Sequence, residues 1–320
     1  MFMNSEIPLV SVICTTYNHG SYVKQALDGF VMQRCNFPLE VIVHDDASTD
    51  NTATIIREYT AKYPFIRAIL QTENQYSKGI NIWDYLFTKE AKGKYIALCE
   101  GDDYWTDPDK LQKQVDFMET YEDVSMCFHS TDIIYENQKR VDNYLFKDLE
   151  EREYSANEIL KNWTVPTASV MFQTRFAKNI KHDQRFVFGD IIVFLSMAQC
   201  GKIFCLGDKM SVYRRLESGI VLSYKGDISS AIKRINHYEA IKEHFINVDR
   251  KIINDLSVCY YVTLFFSYLA KLNYKSLLFA YKGIVSNPIL FAKFIYVRTL
   301  KIPILVMKKK YKRGLHSELS

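Results

Sequence analysis

The feature that most constrains the fold is an alternation of short apolar runs with amphipathic segments up to about residue 130. The apolar runs are rich in Val, Ile and Leu, as expected of strands buried on both faces. They occupy residues 9–14, 40–44, 65–70, 95–99 and 124–129. Between the first two runs, Val23, Leu27 and Phe30 recur at helical spacing. The alternation predicts a mainly parallel sheet flanked by helices.

The pattern changes twice along the rest of the chain. From about residue 130 to 225 it loosens, with a capping box at Ser155 and Glu158, strands at 168–173, 202–206 and 210–215, and a helix at 189–200. After Asp227 it is helical almost throughout. We therefore expect an α/β domain over 1–225, with halves at about 8–130 and 131–225, and a helical C-terminal region over 226–320.

Composition excludes several classes of protein. Lysine and arginine number 41 against 37 aspartates and glutamates, and an excess of +4 does not predict a nucleic-acid partner. The 7 cysteines form no CxxC pair, so neither a zinc knuckle nor a disulfide framework is expected. Small buried thiols of this kind are typical of a reducing, cytoplasmic compartment.

The sequence carries no signal-peptide pattern and no uncharged apolar run of the length that a spanning helix needs, so the chain is not expected to cross a membrane. Near the end, an apolar stretch dotted with lysines precedes a basic run. Its residues are Lys308, Lys309, Lys310, Lys312 and Arg313. The run fits a solvated tail, but the combination favours peripheral membrane contact through 288–313.

Polar residues follow three of the predicted strands, where the carboxyl ends of parallel strands form a ligand-binding edge. They are Thr15, Thr16, Tyr17, Asn18 and His19 after the first strand, Asp45, Asp46, Ser48 and Asp50 after the second, and Glu100, Asp102 and Asp103 after the fourth. No G-x-G-x-x-G motif or P-loop is present, which argues against a dinucleotide-binding domain. Acidic residues at a phosphate site predict a divalent cation, Mg²⁺ or Mn²⁺, that bridges to a pyrophosphate group.

Three segments, VSVICTTYNH at 10–19, VIVHDDASTDNT at 41–52 and GKYIALCEGDDYWTDP at 93–108, resemble the family 2 glycosyltransferases. The resemblance runs through residues 8–130 and continues more faintly to about 220. It is strongest to the branch that builds bacterial surface polysaccharides. It implies the GT-A fold, a Rossmann-like α/β fold, followed here by a helical appendage.

The resemblance also implies roles for the donor-side residues. Thr15 and Asp46 are expected to bind the base of the donor nucleotide, with Tyr17 and Asp45 beside them. Glu100–Asp103 occupies the place of the D-x-D motif, although Glu100 replaces its first acid. Asp102 would face the ribose and diphosphate and, with Asp103, hold the metal. Trp105 is expected to stack on a sugar of the acceptor.

On the acceptor side, Asp190 matches the catalytic base of inverting members, although a helix N-cap explains an aspartate at this position nearly as well. Arg214 is expected to hold the diphosphate leaving group. The histidine or glycines that often follow Tyr-Arg in this branch are replaced by Arg215, Leu216 and Glu217.

The predicted function is inverting transfer of a sugar from a nucleotide-diphosphate donor, favouring a UDP-sugar, to a hydroxyl of a glycan or lipid-linked acceptor in surface polysaccharide synthesis. The predicted location is the cytoplasm, or the inner face of the plasma membrane. Two alternatives stay open: a non-catalytic GT-A-like scaffolding module, and a nucleotidyltransferase that makes the sugar nucleotide. For several residues a structural role is preferred to a functional one. His19 is expected to face solvent and His129 to be buried, Ser48 and Asp50 to cap a helix, and the aromatic residues at 260–268 to pack in a core.

Overall fold

The structure is a computed structural model that describes residues 7–136, 146, 149–216 and 227–298. The described residues form two compact units. The first contains residues up to 182 together with 188–216. The second contains 183–187 and 227–298. The predicted division into halves and a C-terminal region stays a prediction.

A nine-stranded mixed sheet dominates the first unit. Its strands are β1 Val10–Thr16, β2 Leu39–Asp45, β3 Ile66–Leu70, β4 Tyr95–Leu98, β5 Tyr104–Trp105, β6 Val124–Tyr135, β7 Arg152–Glu153, β8 Met171–Gln173 and β9 Lys202–Arg215. The order is β3-β2-β1-β4-β8-β6-β9-β5, and β7 pairs with β9. The first four strands are parallel, as the sequence predicts, and β6 is parallel to β9. The short strands β5, β7 and β8 pair antiparallel, which makes the sheet mixed.

The helices of the first unit are α1 Val23–Val31, α2 Thr52–Lys62, α3 Ile82–Tyr85, α4 Lys110–Thr120, α5 Ala156–Asn162 and α6 Gly189–Met197. A π-helical turn at Leu86–Glu90 continues α3. The capping box predicted for α5 is present: Ser155 accepts from the Glu158 N–H, and Glu158 accepts from the Ser155 N–H. Asn51 is the N-cap of α2 but makes no capping hydrogen bond with its side chain. Asp50 Oδ1 accepts the N–H of Thr52, the first residue of α2, at 3.0 Å, as predicted for a capping residue, whereas Ser48 bonds to Asn18 and Asp45.

The central strands are buried on both faces. Val12 and Cys14 of β1 pack into one core cluster with Leu27 and Phe30 of α1, while Ile13, pointing to the opposite face, is also buried. Because successive side chains alternate between faces, this pattern requires cover on both sides of the sheet.

The register brings the carboxyl ends of the parallel strands together. Thr16 of β1 pairs with Asp45 of β2, and Ile13 of β1 pairs with Leu98 of β4. The polar segments that follow β1, β2 and β4 therefore begin at the same edge of the sheet, as predicted.

The two short strands predicted at 202–206 and 210–215 form one long strand, β9. Its pairing with β6 shifts register around Ser130 and Thr131. Gly207 and Asp208 lie between the two predicted strands, and the β-bulge accommodates them without ending the strand.

The second unit is helical: α7 Ile228–His244, α8 Arg250–Leu269, α9 Lys275–Ser286 and α10 Pro288–Tyr296. Within the described chain, α8 alone has the length and hydropathy of a membrane span, with a mean hydropathy of 1.3, but core helices of soluble proteins share those properties. Tyr261 of α8 is buried and Tyr260 packs against the same cluster, as predicted for the aromatic residues at 260–268. The basic run from Lys308 to Arg313 and the predicted departure at Glu217 lie outside the described residues.

Candidate active site

The segments after β1 and β2 hold each other in place. Ser48 Oγ accepts a hydrogen bond from the Asn18 N–H at 2.8 Å, and Asn18 Oδ1 accepts one from the Thr49 N–H at 2.8 Å. Asn18 and Ala47 both adopt left-handed backbone conformations, with φ of 54° and 62°. Such conformations strain a residue with a Cβ and concentrate at binding sites.

Asp46, predicted to bind the donor base, and Asp45, predicted to lie beside it, have different partners. Asp45 is buried and accepts hydrogen bonds from the side chain and backbone N–H of Ser48. The Asp46 carboxylate accepts from the N–H groups of Gln75 at 2.7 Å and Tyr76 at 3.0 Å. The Asp46 N–H donates to the Thr16 carbonyl at 3.0 Å, so Asp46 links the segment after β3 to the end of β1, while Asp45 stabilises its own turn.

The turn after β4 packs closely against the end of β1. The Gly101 N–H donates to the Thr15 carbonyl at 2.9 Å. A Cβ at position 101 would lie 2.8 Å from the Thr16 side chain and 3.1 Å from His19 Nδ1. A side chain here would push the following acids away from the edge of the sheet, so the glycine of the Glu-Gly-Asp-Asp motif is required for its position.

Asp103 is a buried acid with one committed oxygen. Its Oδ1 accepts the Arg214 backbone N–H at 2.7 Å, and only 1% of the residue is exposed. Its Oδ2 has no hydrogen-bond partner within the described chain. Burial, and then the charges of Asp102 and Glu100, raises the pKa of Asp103 well above its ordinary range. A buried carboxylate oxygen of this kind needs a proton or a cation.

Glu100 and Asp190 complete a group of four carboxyls that the structure brings together. Burial, followed by the charges of Asp102 and Asp190, raises the pKa of Glu100 to about 8. Burial raises the pKa of Asp190 to about 6. The N-cap of α6 is Phe188 and not Asp190. Asp190 lies in the first turn, where its Oδ1 accepts the Ile191 N–H at 2.8 Å, so one of its oxygens stabilises the start of the helix.

Arg214 supports the acidic turn from the neighbouring strand. Its Nε donates to the Asp102 carbonyl at 2.9 Å, and its guanidinium also donates to Gln25. The guanidinium lies 4.7 Å from the ring centre of Tyr22 and 5.6 Å from that of Tyr104. Arg214 thus holds the backbone of the motif in addition to placing a positive charge beside it.

His19 is not solvent-facing as the sequence suggested. Its side chain is 20% exposed, and Nδ1 lies 3.9 Å from Asp102 Oδ1. Nδ1 is buried and has no hydrogen-bond partner within the described chain. His19 lies in the first turn after β1, at the predicted ligand-binding edge. This position in the sequence was the signal that could have indicated a location beside Asp102.

Trp83 is a site residue that the sequence analysis missed. Its indole Nε1 points to Thr15 Oγ1 at 3.5 Å, and its ring lies 3.9 Å from the position that a Cβ of Gly189 would occupy. The half-buried ring therefore lies between the end of β1 and the start of α6, next to Asp190. No motif surrounds Trp83, and only the fold brings it to the site.

The structure contradicts the acceptor-stacking role predicted for Trp105. The residue is 2% exposed, its Nε1 donates to the Ala168 carbonyl at 2.8 Å, and Phe30 packs edge-on against it. The buried ammonium of Lys110 lies 4.0 Å from its ring centre. Strand β5 points this side chain into the core, so no sugar can reach its faces.

His129 is structural, as predicted. It is fully buried, its Nδ1 donates to the Ser130 carbonyl at 2.8 Å, and burial lowers its pKa well below the ordinary value. A shallow surface pocket near Pro8, Gly93 and Thr174 lies at the amino ends of β1 and β4, away from the acids. Its described lining contains no carboxylate.

The acidic turn fits a divalent cation that a phosphate ligand helps to hold. Among the described residues, no cluster of three or more His, Cys, Asp or Glu side chains is arranged to hold a metal alone. Mg²⁺ is ordinarily bound through one or two carboxylates together with substrate phosphates. Asp103 Oδ2, buried and without a partner, is the atom whose chemistry matches this requirement.

Comparison with solved structures defines the class of fold. The crystal structure of Staphylococcus aureus TarS residues 1–349 in complex with UDP-GlcNAc matches with a TM-score of 0.56 and 16% identity. The match covers 89% of this chain and 91% of TarS. At this identity the likeness shows the fold, which is the GT-A fold with C-terminal helices.

The sequence matches the family described as Glycosyl transferase family 2 over residues 11–195. This match covers more than half of the chain, and the chain belongs to that family. An uncharacterized Mycobacterium tuberculosis protein is 39% identical over 214 residues, which are 66% of this chain and 60% of that protein.

Two relatives have descriptive names. The Bacillus subtilis putative teichuronic acid biosynthesis glycosyltransferase TuaG is 26% identical, covering 67% of this chain and 81% of TuaG. The Escherichia coli UDP-Glc:alpha-D-GlcNAc-diphosphoundecaprenol beta-1,3-glucosyltransferase WfaP is 31% identical, covering 54% of this chain and 63% of WfaP.

Proposed function

We propose that this protein transfers a sugar from a nucleotide-diphosphate donor to a hydroxyl of a glycan or lipid-linked acceptor in cell-surface polysaccharide synthesis. The observation that carries the proposal is the convergence of Asp102, Asp103, Glu100 and Asp190 at the edge where β1, β2 and β4 end. The names of WfaP and TuaG support the class of pathway.

The donor is a UDP-sugar. Thr15 near the end of β1, Tyr17 directly after β1 and Asp46 directly after β2 offer a hydroxyl, an exposed ring and a carboxylate to a base and ribose. Each Asp46 oxygen accepts one backbone N–H and keeps capacity to accept a base N–H. WfaP is named for UDP-Glc, and TarS was crystallised with UDP-GlcNAc, which supports uridine as the base.

Asp103, with Asp102 beside it, would hold Mn²⁺ or Mg²⁺. When bound, the cation neutralises the negative charge of the donor diphosphate and of the departing nucleoside diphosphate. Arg214 keeps the Asp102 backbone and Asp103 Oδ1 in position through its side chain and its own N–H. The arrangement supplies one preformed buried oxygen and leaves the remaining coordination to the donor.

Asp190 acts as the general base in a single displacement with inversion. Its carboxylate takes the proton of the acceptor hydroxyl, the hydroxyl oxygen attacks the anomeric carbon, and the bond from that carbon to the diphosphate oxygen breaks. A pKa near 6 leaves Asp190 ionised at neutral pH and more basic than an ordinary aspartate. Trp83, between Thr15 and α6, offers the ring face against which a sugar packs.

This reaction takes place in the cytoplasm or at the inner face of the plasma membrane, where nucleotide sugars and a lipid-linked acceptor meet. The non-catalytic alternative has no need to keep Glu100, Asp103 and Asp190 beside Asp102 at positions where burial raises the pKa of each of the first three. The nucleotidyltransferase alternative is opposed by the segment after β1, which lacks the glycine- and arginine-rich loop such enzymes use.

The test is to incubate the protein with UDP-glucose or UDP-GlcNAc, Mn²⁺ and a lipid-diphosphate-linked sugar, and to identify the released product. Release of UDP coupled to a longer glycan is expected, and it should be lost in Asp190→Asn. Release of pyrophosphate from UTP and a sugar phosphate would instead identify a nucleotidyltransferase. Donor binding without release of either product would indicate the non-catalytic module.

A further inference from the structure

Helix α9 of the second unit has an inverted amphipathic pattern. Its buried positions are Ser276 and Gly283. A Cβ at Gly283 would lie 2.2 Å from the Phe291 ring, so α10 approaches α9 through a position where only glycine fits. The side of α9 that packs inward thus carries the small residues Ser276, Ala280 and Gly283 and one large residue, Phe279, which stacks on Tyr268 of α8. Core-facing helices usually turn most of their large apolar residues inward.

The opposite side of α9 exposes large apolar residues. Leu277 is 73% exposed and Tyr281 is 66% exposed. Spacings of one, four, seven and eight residues from Leu277 place the exposed side chains on a single helical arc. We call the following residues of α9, its preceding turn and the start of α10 the apolar face: Leu272, Tyr274, Leu277, Leu278, Tyr281, Ile284, Val285 and Ile289. An exposed patch of this size marks a binding surface.

Basic residues predominate around the apolar face. Glu239 and Glu243 of α7 line a pocket with Tyr281 and Lys282, but they are paired with Lys242 and Arg185. Residues 256–298 contain no aspartate or glutamate. Their basic residues are Lys271, Lys275, Lys282, Lys293 and Arg298. On the helical arc of α9, Lys275 and Lys282 follow directly beside the apolar side chains, at one edge of the face. Apolar side chains bordered by lysines, with tyrosines among them, are the pattern of helices that lie in a membrane interface.

We propose that the apolar face docks on an anionic phospholipid bilayer. Its apolar side chains enter the boundary between headgroups and acyl chains, and the lysines bind lipid phosphates. The 12 residues of α9 extend about 18 Å, too short to cross a hydrocarbon core of about 30 Å, so the helix lies in the plane of the interface. This surface is centred on α9, N-terminal to the stretch at 288–313 that the sequence favoured.

A lipid surface fits better than a second copy of this chain. A twofold symmetric dimer through the apolar face would bring Lys271, Lys275 and Lys282 of both copies into one interface. Glu239 and Glu243, which line a pocket beside Tyr281 and Lys282, already pair with Lys242 and Arg185 and leave this positive charge uncompensated. An anionic bilayer supplies the opposite charge instead. The proposal rests on the second unit alone and goes beyond the transfer reaction, although docking would bring a lipid-linked acceptor to the enzyme.

The experiment is flotation of the full-length protein with vesicles of phosphatidylcholine alone or with about one third phosphatidylglycerol. The wild-type protein should float only with the anionic vesicles, and Leu277→Glu/Ile284→Glu should reduce the bound fraction at least ~10-fold. Ile246→Glu is the matched control. Ile246 is also apolar and 93% exposed, but it precedes α8, whereas the apolar face begins at Leu272, after the end of α8. That variant should float as well as the wild type.

Equal flotation of the double variant and the wild type would overturn the proposal, as would absence of wild-type binding to anionic vesicles. A concentration-dependent dimer that the double substitution abolishes, with flotation unchanged, would assign the face to a second copy. UDP binding, followed by thermal shift in the same variants, should be unaltered. Failure of membrane docking is thereby separated from failure of the proposed transferase function.

Discussion

The two units depart from ordinary burial in opposite directions. The first buries Asp103 and holds Glu100 and Asp190 where burial raises their pKa values, although acids normally stay in water. The second exposes Leu277 and Tyr281 and buries Ser276 and Gly283. In both cases the isolated chain is less stable than it would be with ordinary residues at these positions. We propose a different partner for each unit: a cation for the first, and an anionic lipid surface for the second.

The largest effect is expected from Asp103→Asn. Transfer activity should fall by about 10²–10⁴, because we propose that Asp103 Oδ2, which has no hydrogen-bond partner within the described chain, binds the cation. The same change should raise the melting temperature in the absence of metal, by roughly 2–4 °C for each kcal/mol of relieved burial. Activity assays and calorimetry in a chelator measure the two effects. Loss of both activity and stability would mean that Asp103 is a structural residue.

Asp190→Asn should lower kcat by about 10²–10⁴ while UDP still stabilises the protein, because the base acts on the acceptor and not on the donor. The wild-type kcat/KM should rise with pH through about 6 as Asp190 loses its proton. The free energy of unfolding should fall as pH rises over the same range. A folded-state pKa raised above the unfolded value favours the protonated protein, so about 1–3 kcal/mol is lost between roughly pH 4 and 6. Chemical denaturation at several pH values in that range should show that the free energy of unfolding falls less with pH in Asp190→Asn than in the wild type. An equal fall in both proteins would show that Asp190 is not its source.

Trp83 offers a smaller and more selective effect. Trp83→Ala should lower kcat/KM by roughly 10–100-fold, and Trp83→Phe should recover part of the loss, because a ring face remains for the sugar. UDP affinity should change less than affinity for the complete UDP-sugar. Titration calorimetry with UDP and with UDP-sugar separates the two. Equal losses for both ligands would place Trp83 at the nucleotide instead.

The smallest effect belongs to the exposed helix. Leu277→Gln/Ile284→Gln should change the free energy of unfolding by less than about 0.5 kcal/mol per position, because neither side chain is buried. Denaturant titration measures this. A loss of several kcal/mol would show that the face packs inside the protein, and the comparison between the units would then fail.

The sequence predicted the acidic edge because it depends on local order: polar residues follow buried strands, and parallel strands end together. The prediction for Trp105 was wrong because its position two residues after Asp103 does not reveal that β5 pairs with β9. That pairing points the Trp105 side chain into the core. Trp83 was missed because it reaches the site through the folding of a segment without a motif. The sequence could not predict which side of α9 is exposed. Apolar residues occur around the whole helix, and only its packing against other helices determines the buried side.

The central claim is that the buried acids of the first unit bind a cation together with a nucleoside diphosphate. The most direct measurement is the melting temperature of the wild-type protein with UDP, with Mn²⁺, and with both, beside Asp103→Asn. The account predicts a shift of several degrees that requires both ligands in the wild type, since ligand at 100 times Kd contributes about 2.7 kcal/mol, and no such shift in the variant. An equal shift in Asp103→Asn, or none with any nucleotide in the wild type, would contradict it.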